Sequence, residues 1–284
     1  MKIAVLANDT RDVTSLAPVI GEKLKKLGAD VVSPSCRYNV ADNVFLEVFL
    51  GGPARGCDAL IVLGGDGTLL AASGVACLYD IPLFGVNLGH MGFLSEAEAD
   101  LDLDKTLERL VAGDYITEKR MMLEIKVFRD DSLFKEYHAL NDCVITKSSF
   151  EGMVLINVLV NGKPALTYNG DGFIAATPTG ASGYSLSAGG PLVSPDMEAV
   201  ILTPVSAHSL YSRSLVMSAG DEITVTAERP DGECILSIDG KTGSMSLNKD
   251  DSVRICKSNL TTTFIRMNDK SFFNVLDEKL RERK

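Results

Sequence analysis

Ala59-Leu60-Ile61-Val62-Leu63-Gly64-Gly65-Asp66-Gly67-Thr68 is the stretch that decides the fold of this 284-residue chain. Five consecutive apolar residues suit a strand buried on both faces, as a parallel sheet covered by helices requires. The glycines that follow mark the carboxyl end of that strand, where α/β sheets take their ligands. Glycine tolerates positive φ and lets backbone amides approach a phosphate closely. A carboxylate among three glycines is an odd choice for a plain turn, although a tight Asp-Gly turn is the structural alternative. A phosphate-facing loop would repel Asp66 unless a metal or a hydroxyl proton intervened. Asp66 is therefore a candidate general base or metal-orienting group.

Outward from this stretch the first hundred residues alternate strand and helix. Ile3–Leu6 is a short apolar strand. Residues 15–27 carry Leu16, Val19, Ile20, Leu24 and Leu27 at helical spacing on one expected face and end at Gly28. Residues 30–32 read as a strand, 42–50 as a helix stopped by Gly51-Gly52-Pro53, and 82–86 as a second buried strand. Alternating strands and helices predict βαβ units and a parallel sheet. Residues 101–111 look helical. Beyond them the texture turns to short β-rich runs at 123–128, 139–146, 154–160, 173–177, 200–204, 222–227, 234–238, 253–256 and 261–267. Turns are expected at Asn161-Gly162, Asn169-Gly170, Asp231-Gly232 and Asp239-Gly240. Phe272–Arg283 reads as an amphipathic helix. The expected organisation is an α/β domain with a Rossmann-like parallel sheet over 1–100, an all-β domain over 101–267 and a helical tail over 268–284.

Composition narrows the function classes. Lys and Arg number 28 against 38 Asp and Glu, so the formal net charge is −10. A sequence-independent nucleic-acid coat needs a basic face, and an anionic membrane would repel this chain. No apolar stretch approaches the 18 residues of a membrane-spanning helix. The opening MKIAVLAND lacks the pattern of a signal peptide. The six cysteines, at 36, 57, 77, 143, 234 and 256, form no CxxC pair, and a reducing cytoplasm is the expected location. A small anionic ligand stays open, because backbone amides and metal ions can hold one locally.

Several familiar chemistries are missing. No Gly-Lys-Ser/Thr follows the glycine loop, no GxGxxG occurs, and neither a GxSxG elbow nor an HExxH pair is present. With only His90, His138 and His208, a histidine triad or zinc cluster has little support. What the chain does offer is Asn141-Asp142, a side-chain amide beside a carboxylate that can grip a base edge or ribose hydroxyls. It also offers residues 177–190, dense in small and hydroxyl side chains and suited to a polar ligand. An Asx turn and a plain Gly/Ser connection are the bland alternatives. Tyr184 and Phe93 could stack on a ring or simply pack, and His208 reads as structural.

The loop Gly64-Gly65-Asp66-Gly67-Thr68 resembles that of a superfamily of NAD kinases, diacylglycerol and sphingosine-type lipid kinases, and phosphofructokinases. Five further blocks single out the NAD kinases. They are Gly85-Val86-Asn87-Leu88-Gly89-His90-Met91-Gly92-Phe93-Leu94, Leu140-Asn141-Asp142, Asp171-Gly172-Phe173 leading into residues 177–191, Pro204 through His208-Ser209-Leu210 to Arg213, and Asp239-Gly240. The resemblance implies transfer of the terminal phosphate of ATP to the 2′-hydroxyl of the adenosine ribose of NAD, giving NADP. Asp66 would act on that hydroxyl, with a divalent metal ion, most naturally Mg²⁺, present. The resemblance further implies that Asp66, Gly67, Phe93, Asn141, Asp142, Asn169, Asp171, Ser182, Gly183, Tyr184, Ser185, Leu186, Ser187, Ser206 and Lys241 hold NAD. Gly64, Gly65, Gly67 and Thr68 would face the phosphates of ATP. It implies a homodimer or homotetramer, and no nucleic-acid or membrane partner. The chain departs from the family where Gly180-Ala181-Ser182-Gly183-Tyr184 replaces Gly-Ser-Thr-Ala-Tyr, where Asn169 stands in place of a basic residue, and where Lys241 replaces a glutamine. A lipid kinase of the same superfamily and a non-catalytic NADP-binding sensor are the competing readings.

Overall fold

A computed structural model describes residues 1–8, 15–33, 43–87, 92–98, 103–209, 212–229, 232–240, 245–267 and 272–281. The chain divides into two compact units, Met1–Lys119 with Thr262–Lys284, and Arg120–Thr261. The breaks expected at residues 100 and 267 thus fall elsewhere. Leu107 and Leu110, on the helix after residue 100, belong to the first unit's core, as do Ile265 and Met267.

The first unit is built from β1 (Lys2–Ala7), α1 (Leu16–Lys26), β2 (Asp30–Val32), α2 (Asn43–Gly51), β3 (Ala59–Leu63), α3 (Asp66–Ala76), β4 (Leu83–Asn87), β5 (Ala97–Glu98) and α4 (Leu103–Ala112). All five residues of β3 are buried, and so are all five of β4, as the unbroken apolar run of β3 requires. The sheet is parallel in the order β2-β1-β3-β4, with Ile3 opposite Val31 and Ala59, and Leu60 opposite Leu83. Phe264, from the chain's last strand, pairs in parallel with Leu83 beyond β4. The chain thus moves from β1 to β2 on one side and to β3 on the other. This puts a topological switch point at the carboxyl ends of β1 and β3, where open α/β sheets bind ligands. On α1 the buried face is Ile20, Gly21 and Leu24, whereas Val19 is exposed, so the expected apolar face is narrower than its spacing indicated.

The second unit is almost entirely antiparallel. Its strands are β6 (Ile116–Arg129, begun in the first unit), β7 (Ser132–Ala139), β8 (Asp142–Lys147), β9 (Val154–Val160), β10 (Lys163–Gly170), β11 (Gly172–Ala176), β12 (Ala199–Val205), β13 (Leu215–Ser218), β14 (Ile223–Glu228), β15 (Cys234–Ile238), β16 (Met245–Leu247) and β17 (Ser252–Arg266). One layer runs β13-β12-β11-β8-β15-β16, and a second contains β10-β9-β14 and the start of β17. Residues such as Ile145, Phe173, Leu202, Ile156, Val158 and Val225 from both layers share one core. Alternation of buried and half-exposed residues along β14 and β15 is the expected signature of such layers. A 3₁₀ turn at Gly180–Ser182 and the short helix α5 (Tyr184–Ser187) interrupt the β texture, and α6 (Phe272–Arg281) follows β17.

Asn161 and Gly162 both take positive φ between β9 and β10, as a two-residue hairpin turn demands. Three expectations fail. Asn169 and Gly170 form no turn: they extend β10, opposite Leu155 and Val154. The runs at 253–256 and 261–267 are one continuous strand, β17. The run expected over 139–146 is divided, Ala139 ending β7 and Asp142 opening β8.

Candidate active site

In the first unit the glycine-rich loop lies at the switch point. Gly64 is buried, and its N–H donates to the carbonyl of Val86 on β4 at 3.0 Å. Gly65 caps α3, with the N–H groups of Thr68 and Leu69 returning to its carbonyl. Asp66 therefore occupies the first turn of α3, and half-exposed Gly65, half-exposed Asp66 and exposed Gly67 lie at the positive end of that helix. Thr68 is buried, and its hydroxyl accepts a hydrogen bond from Asn8 Nδ2 at 3.2 Å, so it braces the switch point from behind. Asn8 follows β1 directly and was not singled out by the sequence pattern.

The Asp66 carboxylate does not point at random. The N–H of Phe93 donates to Oδ2 at 2.8 Å and that of Leu94 to Oδ1 at 3.2 Å. Gly92 closes the same contact: a Cβ there would lie 1.8 Å from Asp66 Oδ1. Its own N–H donates to Ser95 Oγ at 2.9 Å. The two amides explain how an acidic side chain is kept in one orientation beside a glycine loop. Helix-capping alone would have turned it toward its own helix. Phe93 thus contributes its backbone, and its side chain is half-exposed.

In the second unit three groups of expected residues gather at the two ends of the antiparallel β8–β11 pair, where Asp142 lies opposite Ala176 at one end and Thr146 opposite Gly172 at the other. Asp239 accepts the N–H groups of Leu140, Asn141 and Asp142 at 2.8, 2.7 and 2.9 Å. Asn141 in turn accepts the Thr177 N–H at its carbonyl, and its side-chain Oδ1 is buried without a hydrogen-bond partner. A buried amide oxygen left open in this way is an acceptor waiting for a donor. Gly180 packs onto Asn141, where a Cβ would fall 2.1 Å from the Asn141 carbonyl oxygen. Thr177 ties the two segments together. Its hydroxyl donates to Leu140 O at 2.5 Å and accepts from the Gly180 N–H at 3.0 Å. Burial, aided by the Asp239 charge, pushes the Asp142 carboxyl up to about 7. Burial raises Asp239 as well, to about 6, although its three amide donors pull the other way.

Along the 182–187 segment the hydroxyls divide. Ser182 and Gly183 are half-exposed, and Tyr184 and Ser187 are exposed. Ser185 is fully buried and shares a 2.8 Å hydrogen bond with Thr203, so its side chain serves packing and is not offered to a ligand. Leu186 is half-buried.

The third group surrounds Asp171. Lys147 Nζ lies 2.6 Å from its carboxylate and holds that carboxyl below its ordinary range, with the Ser206 hydroxyl assisting. Asn169 is exposed, its carbonyl accepting the His208 N–H at 2.8 Å, and His208 is itself exposed, so it is not a core histidine. Lys147 is the cation beside Asp171, and position 169 supplies none. It was illegible in sequence because it sits on β8 and reaches Asp171 only through the pairing of β8 with β11. Lys241 and His90 lie outside the described residues.

Two family models match the chain. The ATP-NAD kinase N-terminal domain covers residues 12–115, and the ATP-NAD kinase C-terminal domain covers residues 140–267. The NAD kinase of Heliobacterium modesticaldum is 42% identical over 228 residues, 80% of this chain and 80% of that protein. The NAD kinase of Natranaerobius thermophilus is 38% identical over 253 residues, 89% of this chain and 85% of that protein. Among solved structures, yeast NADH kinase complexed with NADH has a TM-score of 0.81 and covers 99% of this chain and 87% of its own, a likeness of fold at 22% identity. The NAD kinase from Archaeoglobus fulgidus in complex with ATP has a TM-score of 0.73 at 27% identity and covers 99% of both chains. Because matching models take in both the glycine loop and the Asn141-Asp142 segment, and the likeness to relatives spans four-fifths of the sequence, the chain belongs to the NAD kinase family.

Proposed function

We propose that this chain transfers the γ-phosphoryl group of ATP to the 2′-hydroxyl of the adenosine ribose of NAD, yielding NADP and ADP. The carrying observation is the Asp66 carboxylate, fixed by the Phe93 and Leu94 amides at the end of β3. In this reading Asp66 takes the proton from the attacking hydroxyl as the new P–O bond forms and the bond to the ADP oxygen breaks. Phosphoryl transfer asks little covalent work of a protein, so positioning and electrostatic stabilisation supply most of the rate. Gly65 and Gly67, at the start of α3, are proposed to receive phosphate oxygens on backbone amides, whereas the Gly64 amide is already committed to the Val86 carbonyl. NAD is proposed to be held by Gly67, Phe93, Asn141, Asp142, Asn169, Asp171, Ser182, Gly183, Tyr184, Leu186, Ser187, Ser206 and Lys241. The open Asn141 Oδ1 is the best supported of these contacts.

Among the described residues no three His, Cys, Asp or Glu side chains form a metal-binding group. A protein cage for a divalent ion does not fit there, and no step above runs through one. Mg²⁺ characteristically takes its oxygens from substrate phosphates and water, neutralising charge on the triphosphate. We further propose a homodimer or homotetramer in the cytoplasm. Among the described residues Cys57, Cys77, Cys143, Cys234 and Cys256 form no disulfide, as a reducing compartment allows. No described helix is long and apolar enough to cross a membrane.

Incubation with NAD, ATP and Mg²⁺, followed by chromatographic detection of NADP, tests the activity. Asp66→Asn tests the base: turnover should fall by about 10²–10⁴-fold with the fold intact. Near wild-type turnover would remove Asp66 from that role. Light scattering tests the oligomer.

A further inference from the structure

We propose that Arg266 is a positioning residue for this reaction, holding through the Leu94 carbonyl the backbone segment whose amides orient the Asp66 carboxylate. The inference rests on the reading of Asp66 as the base. Leu94 is the pivot: its N–H donates to Asp66 Oδ1 at 3.2 Å, and its carbonyl accepts from Arg266 Nη1 at 3.1 Å. The peptide planes on either side of one buried residue are thus pinned, one to the carboxylate and one to the guanidinium.

The guanidinium is itself locked. Its side chain is 12% exposed, Nε donates to Glu118 at 2.7 Å and Nη1 lies 3.3 Å from Glu96 Oε2. The second oxygen of Glu96 accepts the Met267 N–H at 2.9 Å, and the guanidinium stands 5.1 Å from the Phe264 ring centroid. Glu96 is 9% exposed, and its own N–H returns to Gly85 on β4. A planar fork facing three acceptors has one orientation, which lysine's single ammonium point cannot reproduce. A buried ion cluster is a weak source of stability, since an apolar plug of the same volume often serves as well. Among these contacts, the Leu94 carbonyl is the one uncharged acceptor, and it leads to the reacting centre.

Removing Arg266 alone would leave Glu96 uncompensated and endanger folding. The test therefore pairs Arg266→Met with Glu96→Gln, alongside Arg266→Lys as a milder variant. The matched control is Arg129→Met with Asp251→Asn, which removes a comparably buried pair in the second unit, where Arg129 Nη2 lies 2.6 Å from Asp251. For the Arg266 pair we expect kcat to fall about 10–100-fold, because a small misplacement of a reacting group is costly. Michaelis constants for NAD and ATP should stay within about threefold, since the contact acts after binding. Arg266→Lys should lose about three- to tenfold in kcat, and it decides the matter if the paired variant does not fold. The control should lose thermal stability and keep kcat. Added to Asp66→Asn, the Arg266 change should cost less than about twofold more, because the two act as one unit. Wild-type kcat in the folded Arg266 variants, or a fully additive loss on Asp66→Asn, would overturn the proposal while leaving Asp66 in place. Unchanged turnover in Asp66→Asn alone would overturn both.

Discussion

Gly92 and Asp66 touch so closely that a Cβ at position 92 would lie 1.8 Å from Oδ1 and the carboxylate would have to move aside. The clash is with the group proposed to accept the proton, and Gly92 is only half-buried, so damage should be local. Gly92→Ala is expected to lower kcat by about 10²-fold through displacement of the carboxylate. Its melting temperature should stay close to wild type. Steady-state kinetics with a parallel thermal melt check this, and a fully active Gly92→Ala would show that Asp66 need not sit where it does.

Asp142 should make stability depend on pH in a predictable sense. Its folded-state carboxyl is pushed up to about 7, from an ordinary value of 3.8, first by burial and then by Asp239. A raised acid binds its proton more tightly in the folded state. Its favourable contribution is complete below the unfolded value and is lost as pH rises through about 7. Asp142→Asn removes this dependence. The variant should match wild type near pH 4 and exceed it by a few kcal/mol above pH 7, an order-of-magnitude figure from about 1.4 kcal/mol per unit. Denaturant melts at pH 5 and pH 8 suffice. A stability difference that shrinks with rising pH would contradict the assignment.

Asp239 supports the neighbouring loop through three backbone N–H groups. Asp239→Ala leaves them without acceptors, and each such loss costs about 1–3 kcal/mol when water cannot replace the partner. Part of this is offset by relief of a desolvated charge, so a net loss of about 2–4 kcal/mol is expected. The Michaelis constant for NAD should rise with it, because Asn141 would lose its anchor. Chemical unfolding and substrate titration measure the two effects, and wild-type values in both would show that the loop stands without Asp239.

Lys147 joins Asp171 to the carbonyls of Phe150 and Gly152. Asp171 is 41% exposed, so the pair adds little stability, on the order of 1 kcal/mol or less. Its effect should fall on binding. Lys147→Met is predicted to raise the Michaelis constant for NAD about three- to tenfold and to change kcat less than about twofold. A drop confined to kcat would move Lys147 out of the binding group.

How much of this was legible in sequence depended on whether the signal was local. The run at 59–63 and its glycine loop were readable because burial on both faces leaves no polar residue in the strand. β9 and β15 came out with their observed bounds because alternation and turn residues agree there. β7 left no trace: its first five residues are all exposed, so Ser132–Glu136 carries no burial pattern, and only pairing with β6 makes it a strand. β17 reads as two pieces because polar Lys257, Ser258 and Asn259 interrupt its apolar positions, although the backbone continues through them. The site shows the same division. Asp66, Asn141, Gly92 and Asp239 all lie in motifs, but only for Asp66 and Asn141 does the residue type itself suggest the role. Gly92, Asp239, Lys147 and Arg266 act through contacts between residues at least 24 positions apart, which no local pattern encodes.

The first unit is assembled from two separated stretches, Met1–Lys119 and Thr262–Lys284. On a ribosome, which delivers the chain from its amino end, β4 would emerge long before Phe264, its neighbour in the sheet, and Leu94 long before Arg266. Until then the Leu83 end of that margin stays unpaired, a state prone to mispairing. The Asp66 carboxylate would gain its full bracing only when nearly the whole polypeptide has been translated, so an incomplete chain carries the motif without the geometry.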